Sequence, residues 1–341
     1  MVKRRCCPEC FDDRGLREQI FPFLNPTHGT CNFCGTPDVD LLEPQALATY
    51  FELVASVYEP GKDGKLLAEW IKEDWRLFSH PAMNVVQATE LLAEILHDDI
   101  VNKSLVPSPS YRSEGLARWE TLRDEMMYRN RWFLDMTLDT ERLRQLLDHL
   151  PASDLPEIWY RARIRMGDDT YEIDKMGAPP KRAASHGRAN PAGIPYLYLG
   201  SRAETATAEI RPHTGEIACV ANFTIPKIRA VDLRDPRKLV SPFILEDASA
   251  IGQLRADLPF LERLGEELTR PVLPSGAAVD YIPSQYLCEF IKKSGFDGVV
   301  YRSSVSDGIN LALFDPDKAK GGTVSLYSVL KVSVTVAPTP I

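Results

Sequence analysis

The sequence predicts a multidomain α+β protein: a cysteine-rich ribbon and a helical domain, followed by a domain of short strands and helices. Three observations carry that prediction. Two CxxC turns fall within the first forty residues. Apolar residues then recur at helical spacing as far as residue 150. Beyond a proline-flanked stretch the pattern changes to short β-like runs separated by loops rich in glycine and proline.

Size and charge bound the possibilities. At 341 residues the chain exceeds one average domain, so two or three are expected. A net charge of −8 argues against a broad nucleic-acid surface, which needs concentrated Lys and Arg, but leaves room for a local basic groove. No apolar run reaches the length of a transmembrane helix, and no membrane association is expected. The start, MVKRRCCPEC, is basic but lacks the apolar stretch of a secretory signal. A cytoplasmic location is expected.

Residues 1–40 hold the first element. Cys7 and Cys10 form one CxxC turn, Cys31 and Cys34 another, with twenty residues between them. Each such turn offers two sulfurs to one ion, and two turns complete a tetrahedral thiolate site with no open position. The spacing is that of a zinc ribbon with a structural zinc. Unliganded thiols or a redox pair are the plainer alternatives. Cys6 reads as a bystander that could substitute for Cys7, and His28 as a weaker alternative ligand.

Residues 41–150 read as helices. Leu47, Tyr50, Phe51, Val54, Val57 and Tyr58 make one apolar stripe; Ala88, Leu91, Leu92, Ile95 and Leu96 make a second. A third stretch covers roughly 113–135, and a fourth holds Leu143, Leu146, Leu147 and Leu150. Breaks are expected at Glu59-Pro60-Gly61 and Pro107-Ser108-Pro109. Residues 151–156, PASDLP, read as a linker.

The last domain spans 157–330. Strands are expected at 158–165, 196–199, 217–225, 230–233, 298–301 and 310–314, with helices near 202–211, 246–269 and 283–294. Short strands mixed with helices suggest an α+β fold with partly antiparallel pairing. The residues after about 330 read as a loose tail.

The chemistry concentrates between Trp159 and Arg211. In WYRARIR the residues Arg161, Arg163 and Arg165 alternate along a strand and share one face. A solvated face is the bland explanation; Arg161, first after an aromatic pair, is the preferred ligand contact. The loop APPKRAASHGRANPAGIP sets Arg188 between Gly187 and Gly193, so backbone and guanidinium together suit a phosphate. Asn190 before Pro191 marks a turn. Tyr196 and Tyr198 share one side of a strand, where a ring would either stack on a flat heterocycle or pack in a core. Ser201 and Glu204 have the spacing of a capping box. Glu209 follows small residues in TATAEI, so it is expected at a tight spot, paired with an arginine or acting on a ligand. Downstream, GVVY leads into Ser303 and Ser304, then Gly308 and Asn310. No histidine or acid makes either serine a clear nucleophile, so a hydrogen-bonding role is expected. Arginines for a diphosphate, a ring for a heterocycle and a carboxylate for a sugar cation are what cleavage of the nicotinamide–ribose bond of NAD requires.

The segments YRARI, GRANPAGIPYLYL, TATAEIR and GFDGVVYRSS with GIN resemble the RES-domain family, in that family's order, over roughly 157–318. The N-terminal part is similar to the cysteine-knuckle and HEPN-related helical segment found ahead of RES in a longer subgroup. The resemblance implies an ADP-ribosyltransferase-like fold and NAD as a consumed substrate. The implied activity is NAD glycohydrolase, NAD phosphorylase or ADP-ribosyltransferase toward a macromolecular acceptor. The implied setting is a bacterial toxin with a cognate antitoxin. By position it places the family's arginines on Arg161 and Arg188, its aromatic residue on Tyr198, its glutamate on Glu209 and its serine on Ser303 or Ser304, with Ser303 preferred. The chain departs from the family at Ala189, where many members carry Trp.

Two rival functions stand beside this one. Arg144 and His149 have the short gap seen in HEPN ribonucleases, although five positions apart they do not share a helical face. A non-enzymatic interaction module is the other. Oligomeric state is open.

Overall fold

The computed structural model describes residues 3–113, 118–273, 275–333 and 336. They group into two compact units, Met1–Trp119 with Asp235–Glu262, and Glu120–Arg234 with Arg263–Ile341. Among the described residues no helix is long and apolar enough to cross a membrane. Of the tail expected after about 330, residues 334, 335 and 337–341 lie outside the described residues.

In the first unit, strands β1 (Thr27–Gly29) and β2 (Val39–Leu41) pair antiparallel, and a bridge from Cys6 to Leu42 extends the pairing. Helices follow at Ala48–Ala55, Leu67–Trp75 and Val85–Leu96. Asn84 caps the last, its Oδ1 accepting from the Val86 and Gln87 N–H groups. Leu47, Phe51, Val54 and Val57 from one apolar stripe and Ala88, Leu91, Leu92 and Ile95 from the next are fully buried. Phe51 packs on Phe11 at 5.4 Å and on Phe243 at 4.7 Å between ring centroids.

Glu59-Pro60-Gly61, expected as a break between helices, lies inside strand β3 (Tyr58–Lys65), which pairs with β4 (Leu105–Pro107). The pairing slips between Pro60 and Lys65, because proline has no N–H to give the ladder. The helix expected over about 113–135 runs only Trp119–Tyr128, and 114–117 lie outside the described residues. The helix Thr140–Asp148 buries Leu143, Leu146 and Leu147 as its stripe requires.

The second unit is built on a mixed sheet in the order β11-β7-β5-β6-β10-β9-β8. Its strands are β5 (Ile158–Ile164), β6 (Leu197–Gly200), β7 (Ile217–Thr224), β8 (Ala230–Asp232), β9 (Gly298–Arg302), β10 (Ile309–Leu313) and β11 (Lys320–Ser328). Neighbours run antiparallel except β8 and β9. One junction differs from the others. β5 pairs with β7 along its whole length, from Ile158–Thr224 to Ile164–Ala218. It meets β6 only at Tyr160–Gly200. The sheet is therefore two ribbons joined at one point.

Its two faces are packed differently. Trp159, Leu197, Leu199, Phe223, Val300, Leu311 and Leu313 form a large apolar core. On the opposite face Ala162, Ala203, Ala206, Ala218 and Val220 leave room for the helix Ala203–Glu209 to come close. Gly200 makes that approach possible: a Cβ there would stand 2.7 Å from the backbone nitrogen of Ala206. The expected capping box does not form. Arg202 occupies the N-cap without a side-chain cap, and Ser201 stays with the sheet, its Oγ accepting from the Ile309 N–H at 3.1 Å.

Gly200→Ala is expected to lower stability by about 1–3 kcal/mol, the range for overpacking. The shift in urea midpoint measures it.

Candidate functional site

A cavity of about 440 Å³ opens in the second unit along the junction of β5 and β6. That volume is ordinary for a small-molecule site. Tyr160, Arg161 and Ala162 from β5 line it, as do Tyr198, Leu199 and Gly200 from β6. Consecutive residues of each strand reach the cavity because the strands are not closed against each other there. Of the residues singled out in the sequence, Arg161, Arg188, Tyr198, Glu209 and Ser304 line it. Ser303 joins them through Glu209.

Glu209 is the last residue of its short helix and lies exposed at the cavity wall. Its Oε1 accepts from Ser303 Oγ at 2.7 Å and from Asn310 Nδ2 at 2.6 Å. Its partners are a hydroxyl and an amide, not the arginine expected as one alternative. Two donors on one oxygen fix the carboxylate's orientation. Ser303 Oγ is itself held, accepting from the Val305 and Ser306 N–H groups at 3.2 and 3.1 Å. The two serines thus divide the work: Ser303 holds the carboxylate, and Ser304 faces the cavity.

Arg161 is the site's half-buried cation. Its Nη1 is shielded from solvent and has no hydrogen-bond partner among the described residues. Burial, and then the neighbouring Arg163, push its pKa down to about 10. Arg163 and Arg165 turn to other tasks. Arg163 donates to the Gly177 carbonyl at 3.5 Å, and Arg165 pairs with Asp168 at 3.6 Å. Arg161 alone of the three lines the cavity.

The Gly187–Arg188 loop is tied down through its backbone. Tyr198 OH accepts from the Ala189 N–H at 2.9 Å and donates to Asn190 Oδ1 at 2.7 Å. Ser284 Oγ donates to the Arg188 carbonyl at 2.6 Å, and Gln285 Nε2 to the Gly187 carbonyl at 2.8 Å. A Cβ on Gly187 would stand 2.6 Å from Tyr198 OH, so the tyrosine tether requires glycine there. Arg188 Nη1 donates to the Arg270 carbonyl at 2.7 Å. Burial raises the Tyr198 phenol further above neutrality, so it stays protonated and able to donate. Tyr196 does not line the cavity; its ring packs on Phe314 at 4.8 Å.

Several lining residues escaped the sequence reading as site residues. Asn310 sat in the quoted GIN motif, and Tyr301 in GVVY. Arg211 ends TATAEIR and holds a left-handed backbone at φ 48°. His186 adjoins the loop arginine. Val272 and Tyr281 come from a segment with no motif to mark it.

The ribonuclease pair is arranged differently. Arg144 is exposed on the helix Thr140–Asp148, while His149 closes that helix as its C-cap. Burial lowers the His149 pKa. Neither residue lines the cavity.

In the first unit Cys7, Cys10, Cys31 and Cys34 gather, all buried, with their sulfurs within 4.8 Å of one another. Cys7 lies 3.4 Å from Cys34, Cys10 lies 3.4 Å from Cys31, and Cys7 and Cys10 are 3.9 Å apart. Four sulfurs bound tetrahedrally to zinc would lie about 3.8 Å apart, so the cluster is compatible with a metal ion. Cys6 points elsewhere, its sulfur on the Leu42 carbonyl at 3.7 Å, and burial raises its pKa. His28 sits exposed against Asp38 at 2.8 Å, outside the cluster.

The unpartnered charge of Arg161 sets a sign for mutation. A cation whose folded pKa lies below its unfolded value costs stability while charged; that cost is complete below about pH 10 and fades as pH rises from there to the ordinary arginine value. Arg161→Met is therefore expected to stabilise the ligand-free protein at neutral pH by roughly 1–2 kcal/mol, as when other buried charges are replaced by apolar groups. Urea unfolding checks the direction.

Comparison with known proteins follows the same region. No curated protein matches the chain. Among solved structures it is similar to a chain of the crystal structure of the M. tuberculosis MbcT–MbcA toxin–antitoxin complex, at 14% identity. The likeness covers 55% of this chain and 93% of that one, with a TM-score of 0.34. The family model described as the RES domain matches residues 158–328. That match spans half the chain and contains Arg161, Arg188, Tyr198, Glu209, Ser303 and Ser304, so the protein belongs to the RES domain family.

Proposed function

We propose that the chain consumes NAD by cleaving its nicotinamide–ribose bond. One observation carries this reading: a carboxylate held by Ser303 and Asn310 shares a cavity with a half-buried arginine that has no partner for its Nη1. Arg161 and Arg188 suit the diphosphate, since guanidinium forks match phosphate oxygens. The Tyr198 ring is a wall for nicotinamide, and its hydroxyl keeps Arg188 in place. Ser304 is the hydrogen-bonding group for nicotinamide or ribose.

Chemically, the C1′–N bond breaks with its electron pair going to the nicotinamide ring, which leaves as a neutral molecule. The ribose is left with oxocarbenium character. Glu209 stabilises that cation and accepts from the ribose hydroxyls, through Oε2, because Oε1 already serves two donors. An acceptor then adds at C1′ and gives up its proton. Water makes the chain a glycohydrolase, phosphate a phosphorylase, and a macromolecular nucleophile an ADP-ribosyltransferase.

The N-terminal thiolates are proposed to bind structural zinc, with Cys7, Cys10, Cys31 and Cys34 as ligands. The domain scheme of ribbon 1–40, helical region 41–150 and RES domain 157–330 belongs to the same proposal. So does a cytoplasmic role as a toxin or defence effector restrained by a cognate antitoxin.

Free nicotinamide released from NAD is the direct assay. Glu209→Gln is expected to lower kcat on the order of 10²–10³-fold, as for loss of one preorganised electrostatic group. Ser303→Ala is expected to lower it about tenfold, the worth of one charge-assisted hydrogen bond. His149→Ala should leave it unchanged. RNA cleavage lost with His149→Ala and kept with Glu209→Gln would instead select the ribonuclease. Metal analysis of the purified chain is expected to find stoichiometric zinc, absent from Cys10→Ser and retained in Cys6→Ser.

A further inference from the structure

We infer that Tyr281, together with Val272, forms the subsite for the second base of the dinucleotide, the purine. This rests on the NAD reading and assigns lining residues of the cavity that the bond-breaking groups do not include. A dinucleotide carries two flat bases joined through a diphosphate. Glu209, Ser303 and Asn310 form one hydrogen-bonded group and take the ribose whose bond breaks. The other base lies beyond the arginines that hold the diphosphate.

The structure puts an aromatic ring beside one of those arginines. The Arg188 guanidinium stands 5.3 Å from the centre of the Tyr281 ring. Tyr281 and Val272 both line the cavity with Arg188. Tyr281 is half-buried and Val272 buried, which leaves a ring and an apolar edge against the cavity. Stacking on such a ring reads the flat face of a base and contributes about 1–3 kcal/mol. The ring is also placed by the same contacts that place the arginine. Tyr281 immediately precedes the helix Ile282–Lys293, and Ser284 and Gln285 of that helix hold the carbonyls of Arg188 and Gly187. Diphosphate and base are therefore received by one rigid assembly.

Tyr281 is thus a specificity-determining residue that acts on binding and not on bond cleavage. The test measures NAD turnover by wild type, Tyr281→Ala and Tyr281→Phe, with ADP and inorganic diphosphate as competitive inhibitors. ADP carries the base and the diphosphate; inorganic diphosphate carries only the latter. Tyr281→Ala is expected to raise the KM for NAD and the inhibition constant for ADP about tenfold, with kcat and diphosphate inhibition unchanged. Tyr281→Phe should behave as wild type. Unchanged ADP inhibition in Tyr281→Ala overturns the subsite while leaving the NAD reading intact. Equal weakening of ADP and diphosphate also overturns it, by making Tyr281 a support for Arg188. If wild type releases no nicotinamide from NAD, both readings fall together.

Discussion

The site depends on the single register pair that joins β5 to β6. A sheet normally satisfies its backbone groups by continuous pairing, which leaves no room between adjacent strands. Here the ladder is interrupted after Tyr160–Gly200, and the cavity is lined by that pair and by the residues beyond it, Arg161 and Ala162 on one strand and Leu199 and Tyr198 on the other. The interruption survives because each half is secured elsewhere. β5 is fully paired with β7, and β6 with β10. Gly200 then lets the helix Ala203–Glu209 approach, which delivers the carboxylate to the same opening.

Charge in the cavity is unbalanced by design of the chain. Arg161, Arg188 and Arg211 line it against the carboxylate of Glu209. Arg188 has a carbonyl and Glu209 has two donors, but Arg161 Nη1 has no hydrogen-bond partner. A cation of this kind is tolerated when the surrounding fold can spare the free energy, and the large apolar core of the second unit is a source of such margin. Stability and readiness for an anion are opposed at this one residue.

Much of this was legible because the sheet strands are strongly patterned. Trp159, Leu197, Leu199, Val300 and Leu311 sit in β-like runs whose alternation survives in the fold. Arg161, Arg188, Tyr198 and Glu209 lie far apart in sequence, yet each belongs to a segment with its own motif, and the fold brings them to one cavity. Elements without a one-sided pattern were not legible. β11 is exposed along almost its entire length and contains Gly321 and Gly322, so neither face shows a period. β3 carries Pro60 and two glycines and resembles a loop. Tyr281 and Val272 gain their position from the helix that follows and from the loop it grips, which no local pattern records. The Ser201–Glu204 spacing misled for a related reason: Ser201 had a sheet partner available in Ile309.

The tethering of the Gly187–Arg188 loop bears on Ala189. Apart from the Arg188 side chain on the Arg270 carbonyl, the anchors of the loop act on main-chain atoms or on Asn190, from Tyr198, Ser284 and Gln285. Ala189 is buried yet contributes only its N–H. The loop is thus held without any side-chain bulk at position 189: the restraint comes from three polar side chains distant in sequence. Because those partners lie on other elements, the position of the loop is inherited from the strand carrying Tyr198 and the helix carrying Ser284 and Gln285, and not from the loop's own side chains.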